Sequence, residues 1–432
     1  MDESDRITIA RCAPIDASVR VPPSKSLTNR ALAAASLARG VSTIRNPLLA
    51  DDTLLMAGAL RDLGIRVAQT PASWTVQGCA GRIPASEARL FLGNAGTAMR
   101  FLTPIVATGR GRFVLDGSDR MRARPIGDLL SALGAMGVAA RSLERNGCPP
   151  VEVEAAGLRG GDVSVRGSVS SQFLSGLLLA APCAEGDLRI LLEGPLVSRP
   201  YVDLTIDVMR RFGAQVEEEP ERSYRVRAGG YSAAACEIEG DASSACWWFA
   251  AAAVTGGRVR VEGIPRDSKQ GDLRFLDLLE RMGCRVRWIA AGGTPAAAVE
   301  VEGGPLKGIE ADLRDMPDAA PALGAVALFA AGPTRIWGAA HLRDKESDRI
   351  AGLAGGLAAL GASVEEHRDG ITIRPGAARG ATVDPLGDHR LAMAFAVAAL
   401  GIGEVTVLDP SCVTKSYPGF FEALRRTVGP ST

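Results

Sequence analysis

The sequence predicts an α/β protein built from six copies of one unit, arranged as two similar domains of three copies each. A helix-ending phrase, in which Gly follows an apolar residue, recurs as ALRDLGIRV, ALGAMGVAA, VMRRFGAQV, LLERMGCRV and GLAALGASV, with a shorter ALRRTV near the carboxyl end. Its glycines lie 70 to 78 residues apart, at Gly64, Gly137, Gly213, Gly283 and Gly361. Units of about 70 residues are too long for a solenoid, whereas three of them make a globular domain of ordinary size.

Each copy contains two kinds of helix. The phrase itself predicts an amphipathic helix that ends at a C′ glycine and is followed by a strand. The second helix is rich in Ala, as in NRALAAASLARG, AMRFLTPIVATG, SQFLSGLLLAAP, SACWWFAAAAVTGG, APALGAVALFAAG and LAMAFAVAALGIG. A short β-like run, for example RFVLDG, RVRVEG or EVTVLD, follows it. Because the two helix types alternate in a fixed order, we interpret the pattern as true repetition.

Polar residues gather before the Ala-rich helices. The segments are PSKSLTNR, LGNAGTAMR, GSVSSQF, GDASSA, RDMPDAA and GDHRLAM. Ser, Thr, Asn and Asp at these places are typical helix caps. Helix N-termini also carry unpaired N–H groups and a partial positive charge, which favour anions. Capping does not explain the Lys and Arg residues among them, so the sequence predicts anion binding at these helix starts.

The composition excludes several other classes of protein. Lys+Arg and Asp+Glu both number 49, and a zero formal charge argues against a general nucleic-acid binder or a membrane-surface protein. The acidic start MDESDRITIARC is not a secretory signal, and no run suits a membrane span. Eight scattered cysteines and three histidines favour a reduced, cytoplasmic protein without a metal site. No dinucleotide or P-loop motif is present, so we expect no cofactor.

Nine motifs, in order from about residue 20 to about residue 421, resemble those of the 5-enolpyruvylshikimate-3-phosphate synthase family. They are PPSKSLTNRAL, LGNAGTAMR, RMRARPIGDL, GSVSSQFLSGLL, SRPYVDLT, MPDAA, LRDKESDRI, DHRLAMAF and VTKSYPGFFEAL. Each motif alone is weak evidence. Nine in the same order cover nearly the whole chain and make the resemblance specific.

The resemblance implies two inside-out α/β barrel domains, each of three βαβαββ repeats, which agrees with the six copies. One domain would span 22–241 and the other 1–21 plus 242–432, with a hinge near residues 20 and 241. The family transfers the enolpyruvyl group of phosphoenolpyruvate to the 5-hydroxyl of shikimate 3-phosphate, on the route to chorismate, and releases phosphate. It therefore implies these two small-molecule substrates, domain closure upon them, and a monomer.

The resemblance also assigns substrate contacts to residues of this chain. On the phosphoenolpyruvate side they are Lys25, Asn94, Gly96, Arg124, Gln172, Arg349, Arg390 and Lys415. On the shikimate 3-phosphate side they are Lys25, Ser26, Arg30, Ser170, Ser171, Gln172, Ser198, Tyr201, Asp318, His341 and Lys345. Both substrates carry a phosphate and a carboxylate, which Arg binds through paired hydrogen bonds. Only five of the 49 cations are lysine, and three of these five are in the two sets.

The reaction is an addition followed by an elimination, which requires an acid and a base among the cations. The resemblance implies that Asp318 accepts the hydroxyl proton, helped by Lys25. It implies that Glu346 protonates the methylene carbon, with Lys25 as a second candidate. From the sequence alone, Asp318 is equally well a helix cap and Glu346 one member of a solvated charge run. Which of the three groups moves which proton stays open.

Two positions depart from the family pattern. His341 stands where the family often has Asn, four residues before Lys345, and its imidazole would make a pH-dependent contact. Phe101 replaces a common Pro just behind the helix start that carries Gly96 and Thr97. In the family this glycine leaves room for glyphosate, so we expect glyphosate to inhibit in competition with phosphoenolpyruvate.

Two other functions compete with this interpretation. A sister transferase, which puts enolpyruvate on a UDP-linked amino sugar, usually has a reactive Cys in a mobile loop and a Lys-Asn pair near its start. This chain has Lys25-Ser26 and a loop, GSDRMRARP, without Cys. A non-catalytic binder of phosphorylated ligands would have lost some of the key groups. All five are present: Lys25, Asp318, Glu346, Arg390 and Lys415.

Overall fold

Two compact units make up the chain in its computed structural model, which describes residues 5–290 and 298–428. Unit A is Pro23–Ile238, and unit B consists of the described residues of Met1–Pro22 and Glu239–Thr432. The chain therefore begins in unit B, builds all of unit A, and then returns to unit B. The hinge expected near residues 20 and 241 stays a prediction.

The helices follow the order of the predicted segments. In unit A they are α1 (Lys25–Leu37), α2 (Asp51–Asp62), α3 (Gly96–Ala107), α4 (Asp119–Arg122), α5 (Gly127–Ala135), α6 (Ser171–Ala180) and α7 (Arg199–Arg211). In unit B they are α8 (Ala242–Thr255), α9 (Phe275–Met282), α10 (Ala320–Ala327), α11 (Arg349–Ala359), α12 (His389–Ile402) and α13 (Phe420–Val428). Short 3₁₀ segments at Pro317–Ala319, Ala340–Asp344 and Pro410–Lys415 carry or border further predicted site residues.

The strands are short and lie between the helices. The first half of the chain contains β1 (Arg6–Ile9), β2 (Asp16–Arg20), β3 (Ala38–Arg45), β4 (Arg66–Gln69), β5 (Ser73–Cys79), β6 (Glu87–Phe91), β7 (Arg110–Asp116), β8 (Ala139–Ser142), β9 (Val151–Ala156), β10 (Gly161–Arg166), β11 (Leu188–Glu193) and β12 (Val216–Glu219). The second half contains β13 (Ser223–Val226), β14 (Tyr231–Ser232), β15 (Ala235–Glu237), β16 (Arg258–Glu262), β17 (Arg285–Ile289), β18 (Ala298–Glu302), β19 (Glu310–Asp312), β20 (Thr334–Trp337), β21 (Ser363–His367), β22 (Gly370–Arg374), β23 (Thr382–Val383) and β24 (Val405–Leu408).

Every sheet repeats one pattern, a parallel pair of strands extended by antiparallel neighbours. Among the described residues, unit A has the sheets β14-β3-β5-β4, β6-β7-β9-β8 and β10-β11-β13-β12, with β15 also paired to β3. Unit B has β17-β18-β16-β2, β19-β20-β22-β21 and β1-β24-β23. Along the chain, β6, α3, β7, α5, β8 and β9 form a βαβαββ repeat, in which the single-turn helix α4 lies between β7 and α5. The predicted repeat is confirmed.

The Ala-rich helices lie at the centre of each unit. In unit A, α1, α3 and α6 contact one another, and in unit B the corresponding contacts join α8, α10 and α12. These helices are buried along nearly their whole length, because their small apolar side chains suit helices that are enclosed on every side. Strands around them alternate between buried and exposed residues. The predicted inside-out α/β fold is confirmed.

The glycines of the repeated phrase end their helices as predicted. Gly64, Gly137, Gly213, Gly283 and Gly361 all adopt φ between +81° and +113°. Residues with a Cβ rarely adopt this left-handed backbone, whereas glycine does so without strain. The turn after each helix therefore depends on this one residue type.

Candidate active site

Lys25 begins α1 in unit A and is held by a nearby carboxylate. Ser24 caps the helix, since its hydroxyl accepts a hydrogen bond from the Leu27 backbone N–H at 3.4 Å. The Lys25 Nζ lies 3.1 Å from Asp52 Oδ2, near the start of α2, with the Asp52 side chain 4% exposed and that of Lys25 13% exposed. A nearly buried carboxylate therefore fixes the ammonium group at a helix start.

Arg30, further along α1, is bound by the protein itself. Its Nε donates to Thr205 Oγ1 at 2.8 Å, its Nη1 to the Ser26 carbonyl at 3.0 Å and its Nη2 to the Tyr201 carbonyl at 2.9 Å. The guanidinium carbon lies 5.2 Å from the centre of the Phe101 ring, and burial lowers the pKa of Arg30 to about 10. These contacts link α1 to α7, while the contact of Arg30 with a substrate stays a prediction.

Arg124 lies directly over Gly96, the first residue of α3. A Cβ placed on Gly96 would be 2.6 Å from Arg124 Nη2 and 2.8 Å from Nη1. Arg124 is nearly buried, and its Nη1 donates to Asn94 Oδ1 at 3.3 Å. Because Gly96 has no side chain, the guanidinium of Arg124 fits beside the start of α3. There, the charge of Arg124 and the backbone N–H groups of the helix start both favour an anion.

The predicted serines begin α6 and precede α7. Ser170 caps α6, because its Oγ accepts a hydrogen bond from the Gln172 backbone N–H at 3.2 Å. Ser171 is the buried first residue of that helix, and Gln172 Nε2 donates to Thr97 Oγ1 on α3 at 3.5 Å. Ser198, just before α7, has a φ of +55°, a strained backbone for a residue with a side chain. Hydroxyl and amide donors thus lie at these helix starts.

In unit B, a charged cluster surrounds Arg349, the first residue of α11, which is 2% exposed. Three carboxylates bind its guanidinium: Asp388 Oδ2 lies 2.7 Å from Nε, Asp318 Oδ1 2.9 Å from Nη1, and Glu346 Oε2 2.6 Å from Nη2. Burial by itself lowers the pKa of Arg349, but the three carboxylates outweigh it and raise that pKa. Arg349 is therefore a permanent cation.

Asp318 lies between two arginines. Arg390 Nη2 is 2.7 Å from its Oδ2, while Arg349 occupies its Oδ1. Burial raises the pKa of Asp318, but Arg390 and Arg349 overcome this effect and hold that pKa well below its usual range. Asp318 is thus deprotonated and pairs with two guanidinium groups. The interpretation of Asp318 as a helix cap did not predict these ion pairs.

Glu346 joins the same cluster through a second cation. Its Oε1 lies 3.8 Å from Lys415 Nζ, and both side chains are 10% exposed. Lys415 ends the 3₁₀ segment Pro410–Lys415. The alternative that Glu346 belongs to a solvated charge run is wrong, because its carboxylate is nearly buried and binds Arg349 as well as facing Lys415.

His341 and Lys345 lie in and just after the 3₁₀ segment Ala340–Asp344. Burial, and then the Lys345 ammonium group, lower the pKa of His341 to about 3. Lys345 also lowers the pKa of Asp318, so its charge acts on the same cluster. In this environment the imidazole is neutral near pH 7, and the contact of His341 with a substrate stays a prediction.

The structure thus places the predicted residues in two groups. Unit A holds Lys25, Ser26, Arg30, Asn94, Gly96, Arg124, Ser170, Ser171, Gln172, Ser198 and Tyr201, and unit B holds Asp318, His341, Lys345, Glu346, Arg349, Arg390 and Lys415. Sequence reasoning missed Asp52 and Asp388, which bind two of these cations. Asp388 stands in the motif DHRLAM at a helix start, where an Asp residue is a typical cap.

Asp272, a third carboxyl that sequence reasoning missed, is buried and accepts a hydrogen bond from the Ser243 hydroxyl. Burial, and then the charge of Asp318, raise the pKa of Asp272 to about 6. The pKa of an Asp side chain in an unfolded chain is about 4. Between about pH 4 and pH 6, the folded protein therefore keeps a proton on Asp272 that the unfolded chain has lost. Stability contributed by the protonated group is therefore lost as the pH rises through this window.

Replacing Asp272 with Asn is accordingly expected to raise the unfolding temperature at about pH 8 and to have little effect below about pH 5. Thermal unfolding of the variant and the parent at both pH values measures the difference. Asp267→Asn, at an exposed position in a turn before α9, serves as the control and should change neither value. A variant that is no more stable than the parent at the higher pH contradicts the expectation.

None of the helices in the described ranges has both the length and the apolar character needed to span a membrane. Nor do three or more His, Cys, Asp or Glu side chains in residues 5–290 and 298–428 form a group suited to a metal ion.

Comparison with known proteins gives consistent results. The sequence model of EPSP synthase (3-phosphoshikimate 1-carboxyvinyltransferase) matches residues 9–424. A 3-phosphoshikimate 1-carboxyvinyltransferase of Methanoculleus marisnigri is 46% identical over 420 residues, which cover 97% of this chain and 98% of the relative. One from Methanospirillum hungatei is 43% identical over 432 residues and covers 98% of both chains.

Solved structures show the same fold. An EPSP synthase from Acinetobacter baumannii is 29% identical, covers 98% of both chains and has a TM-score of 0.81. An enolpyruvyl transferase from Streptomyces tendae, 20% identical with a TM-score of 0.78, covers 98% of this chain and 97% of its own, and shows the fold alone. The two units and their cation-rich helix starts therefore define a protein with the enolpyruvyl transferase fold. Within that class, the chain belongs to the EPSP synthase family.

Proposed function

We propose that the protein transfers the enolpyruvyl group of phosphoenolpyruvate to the 5-hydroxyl of shikimate 3-phosphate and releases phosphate. Membership of the EPSP synthase family supports the reaction type. The proposed role is a step in the shikimate pathway, which leads to chorismate and the aromatic amino acids. We also propose, from the same resemblance, a cytoplasmic enzyme that acts as a monomer without a cofactor.

The observation that carries the proposal is the cluster around Arg349. Two acidic groups suited to proton transfer, Asp318 and Glu346, bind the same guanidinium, and Arg390 and Lys415 lie beside them. A site that adds an alcohol to a phosphorylated enol needs such a combination, because it must bind anions and move protons at one place. A purely structural ion pair would not require two carboxylates that together meet Lys415 and two arginines, Arg349 and Arg390, in the first turns of α11 and α12.

In the proposed reaction, the substrate hydroxyl loses its proton to Asp318 while its oxygen bonds to C2 of phosphoenolpyruvate. The methylene carbon takes up a proton from Glu346 or Lys25 and becomes a methyl group. The carbon–oxygen bond to phosphate then breaks, and the methyl group returns a proton to restore the double bond. Arg349, Arg390 and Lys415 would balance the negative charge of substrate and leaving phosphate.

The groups of unit A would contribute further contacts. Lys25, Asn94, Gly96, Arg124 and Gln172 are proposed to bind phosphoenolpyruvate. The contacts proposed for shikimate 3-phosphate are, in unit A, Lys25, Ser26, Arg30, Ser170, Ser171, Gln172, Ser198 and Tyr201, and, in unit B, Asp318, His341 and Lys345. The guanidinium of Arg124 beside a helix start supports the first set, because it offers a phosphate or a carboxylate two parallel donors.

A coupled phosphate-release assay tests this function. Phosphoenolpyruvate with shikimate 3-phosphate is expected to give stoichiometric phosphate and a product heavier by one enolpyruvyl group, measured by mass spectrometry. The same assay with a UDP-linked amino sugar should stay at background. Phosphate release from phosphoenolpyruvate with the UDP-linked sugar, and not with shikimate 3-phosphate, would establish the sister transferase. Ligand binding without phosphate release in the presence of either acceptor would establish a non-catalytic binder.

Glyphosate is expected to inhibit the reaction in competition with phosphoenolpyruvate. Gly96 is present at the start of α3, and the guanidinium of Arg124 lies against it as a partner for an anionic inhibitor. Phe101, which lies on α3 with Gly96, is buried, and its ring packs against the guanidinium of Arg30 on α1. Initial rates at several phosphoenolpyruvate concentrations measure the effect. Inhibition that does not change with phosphoenolpyruvate concentration contradicts a shared site.

A further inference from the structure

Asp388 is a fully buried carboxylate that precedes α12. Its Oδ1 accepts a hydrogen bond from the Arg390 backbone N–H at 2.9 Å and so caps the helix. Its Oδ2 accepts from Arg349 Nε at 2.7 Å and from the Ser347 hydroxyl at 3.1 Å. One side chain thus binds two residues of the candidate site. A charge at zero exposure is tolerated because such contacts replace water.

The contacts of Arg349 divide its guanidinium into two parts. The Nε edge meets Asp388, whose side chain has no exposure, whereas Nη1 and Nη2 meet Asp318 and Glu346, which are 19% and 10% exposed. The guanidinium is planar, so anchoring Nε restricts the direction of both Nη groups. The Nη groups therefore face the part of the cluster that solvent, and hence a small anion, can reach.

Asp388 also fixes the backbone position of Arg390, the second arginine of the cluster. Because Asp388 caps α12 through the Arg390 N–H, the backbone of Arg390 is held at the first turn of the helix. The Arg390 side chain then reaches Asp318 Oδ2 at 2.7 Å. Arg349 and Arg390, which lie 41 residues apart in the chain, consequently take their relative position from one buried group.

We propose that Asp388 is a positioning residue that sets Arg349 and Arg390 in register for the carboxylate and phosphate of phosphoenolpyruvate. The inference rests on the proposed function and goes beyond it by naming a group that does not touch the substrate. Two guanidinium groups bind an anion well only when their donors are correctly spaced, so a small error in either arginine weakens binding of that substrate.

Asp388→Asn is the most direct test. The amide oxygen of Asn still caps α12, but the amide nitrogen in the place of Oδ2 donates hydrogen bonds and cannot accept one from Arg349 Nε. The KM for phosphoenolpyruvate is expected to rise by at least roughly tenfold, while the KM for shikimate 3-phosphate changes by less than about twofold. Circular dichroism and thermal unfolding establish that the variant is folded.

Asp348→Asn is the matched control. Asp348 caps α11, through a hydrogen bond from the Ala351 N–H at 3.0 Å, and pairs with Arg343 at 2.8 Å. The control therefore makes the same chemical change at another helix cap that has an arginine partner, and both KM values should match the parent. A general effect of removing a capping charge would change the two variants alike and would overturn the inference.

Ser347→Ala gives a second, milder variant in case Asp388→Asn does not fold. Ser347 is buried and donates to Asp388 Oδ2, so its removal loosens the anchor without removing the charge. The KM for phosphoenolpyruvate is expected to rise by roughly two- to fivefold, with the KM for shikimate 3-phosphate unchanged. Equal changes in both constants, or no change in either, would count against a positioning role.

The outcomes separate this inference from the proposed function. If the parent protein does not consume phosphoenolpyruvate with shikimate 3-phosphate, the proposed function fails. If the parent is active and Arg349→Lys raises the KM for phosphoenolpyruvate, but Asp388→Asn behaves as the parent does, only the positioning role of Asp388 fails.

Discussion

Replacing Asp318 with Ala is expected to lower kcat by roughly 10²- to 10⁴-fold, the usual contribution of a general base. The carboxylate is the proposed acceptor of the substrate hydroxyl proton. Bound to Arg349 and Arg390, it has a pKa well below its usual range and is a weak base. A substrate anion that takes over the two guanidinium groups would restore its basicity. The proposed base thus becomes effective when phosphoenolpyruvate binds.

The same variant is expected to bind phosphoenolpyruvate at least as tightly as the parent does, because Asp318 no longer competes for the two arginines. Calorimetry with phosphoenolpyruvate as the only substrate, so that the parent does not turn it over, measures the dissociation constant, and a phosphate-release assay with both substrates measures kcat. Asp315→Ala is the control, since Asp315 is a nearby carboxylate that forms an exposed ion pair with Arg274 at 3.2 Å. Near-normal turnover by the folded Asp318→Ala variant would remove the base assignment, and much weaker binding would contradict the competition.

Replacing Gly96 with Ala is expected to raise the KM for phosphoenolpyruvate by roughly 10- to 100-fold. The new Cβ would be 2.6 to 2.9 Å from three atoms of the Arg124 guanidinium, which must move away. Because the end of an arginine side chain moves easily, the unfolding temperature should change little. Steady-state kinetics and thermal unfolding of the same preparation separate the two effects.

Gly134→Ala is the matched control for this variant. Gly134 lies in α5 of the same unit, and a Cβ there would have no neighbour within 4 Å. The substitution should leave both KM values unchanged and stabilise the helix by about 0.5 to 1 kcal/mol. A Gly96→Ala protein with the parent's KM for phosphoenolpyruvate would show that the position of Arg124 is not required for that substrate.

Much of the fold was accessible from the sequence because its signals are local. A glycine that must adopt a left-handed backbone marks a helix end wherever it stands, and five such glycines defined the repeat. The Ala-rich segments predicted enclosed helices for a similar reason, since their apolar residues surround the whole helix. The helix starts at Lys25 and Gly96 were likewise predicted from the motifs around them.

The partners of the site residues could not be predicted, because they depend on contacts between distant segments. Asp388 lies 39 residues from Arg349, and Asp52 lies 27 residues from Lys25. Nothing local indicates that Glu346 is nearly buried, since its neighbours in DKESDR are typical of a surface run. Burial decided these cases, and burial is a property of the folded chain.

The ion pairs of Arg349 have a consequence for selectivity against ordinary ions. Chloride or a similar univalent anion would have to replace a carboxylate that is already attached to the protein, and would gain little from the exchange. A ligand with two or more negative charges can displace Asp318 and Glu346 together and satisfy Arg349, Arg390 and Lys415 at the same time. Without a ligand, the Asp318 and Glu346 carboxylates are thus the counter-ions of these cations, and only a multivalent anion competes effectively with them.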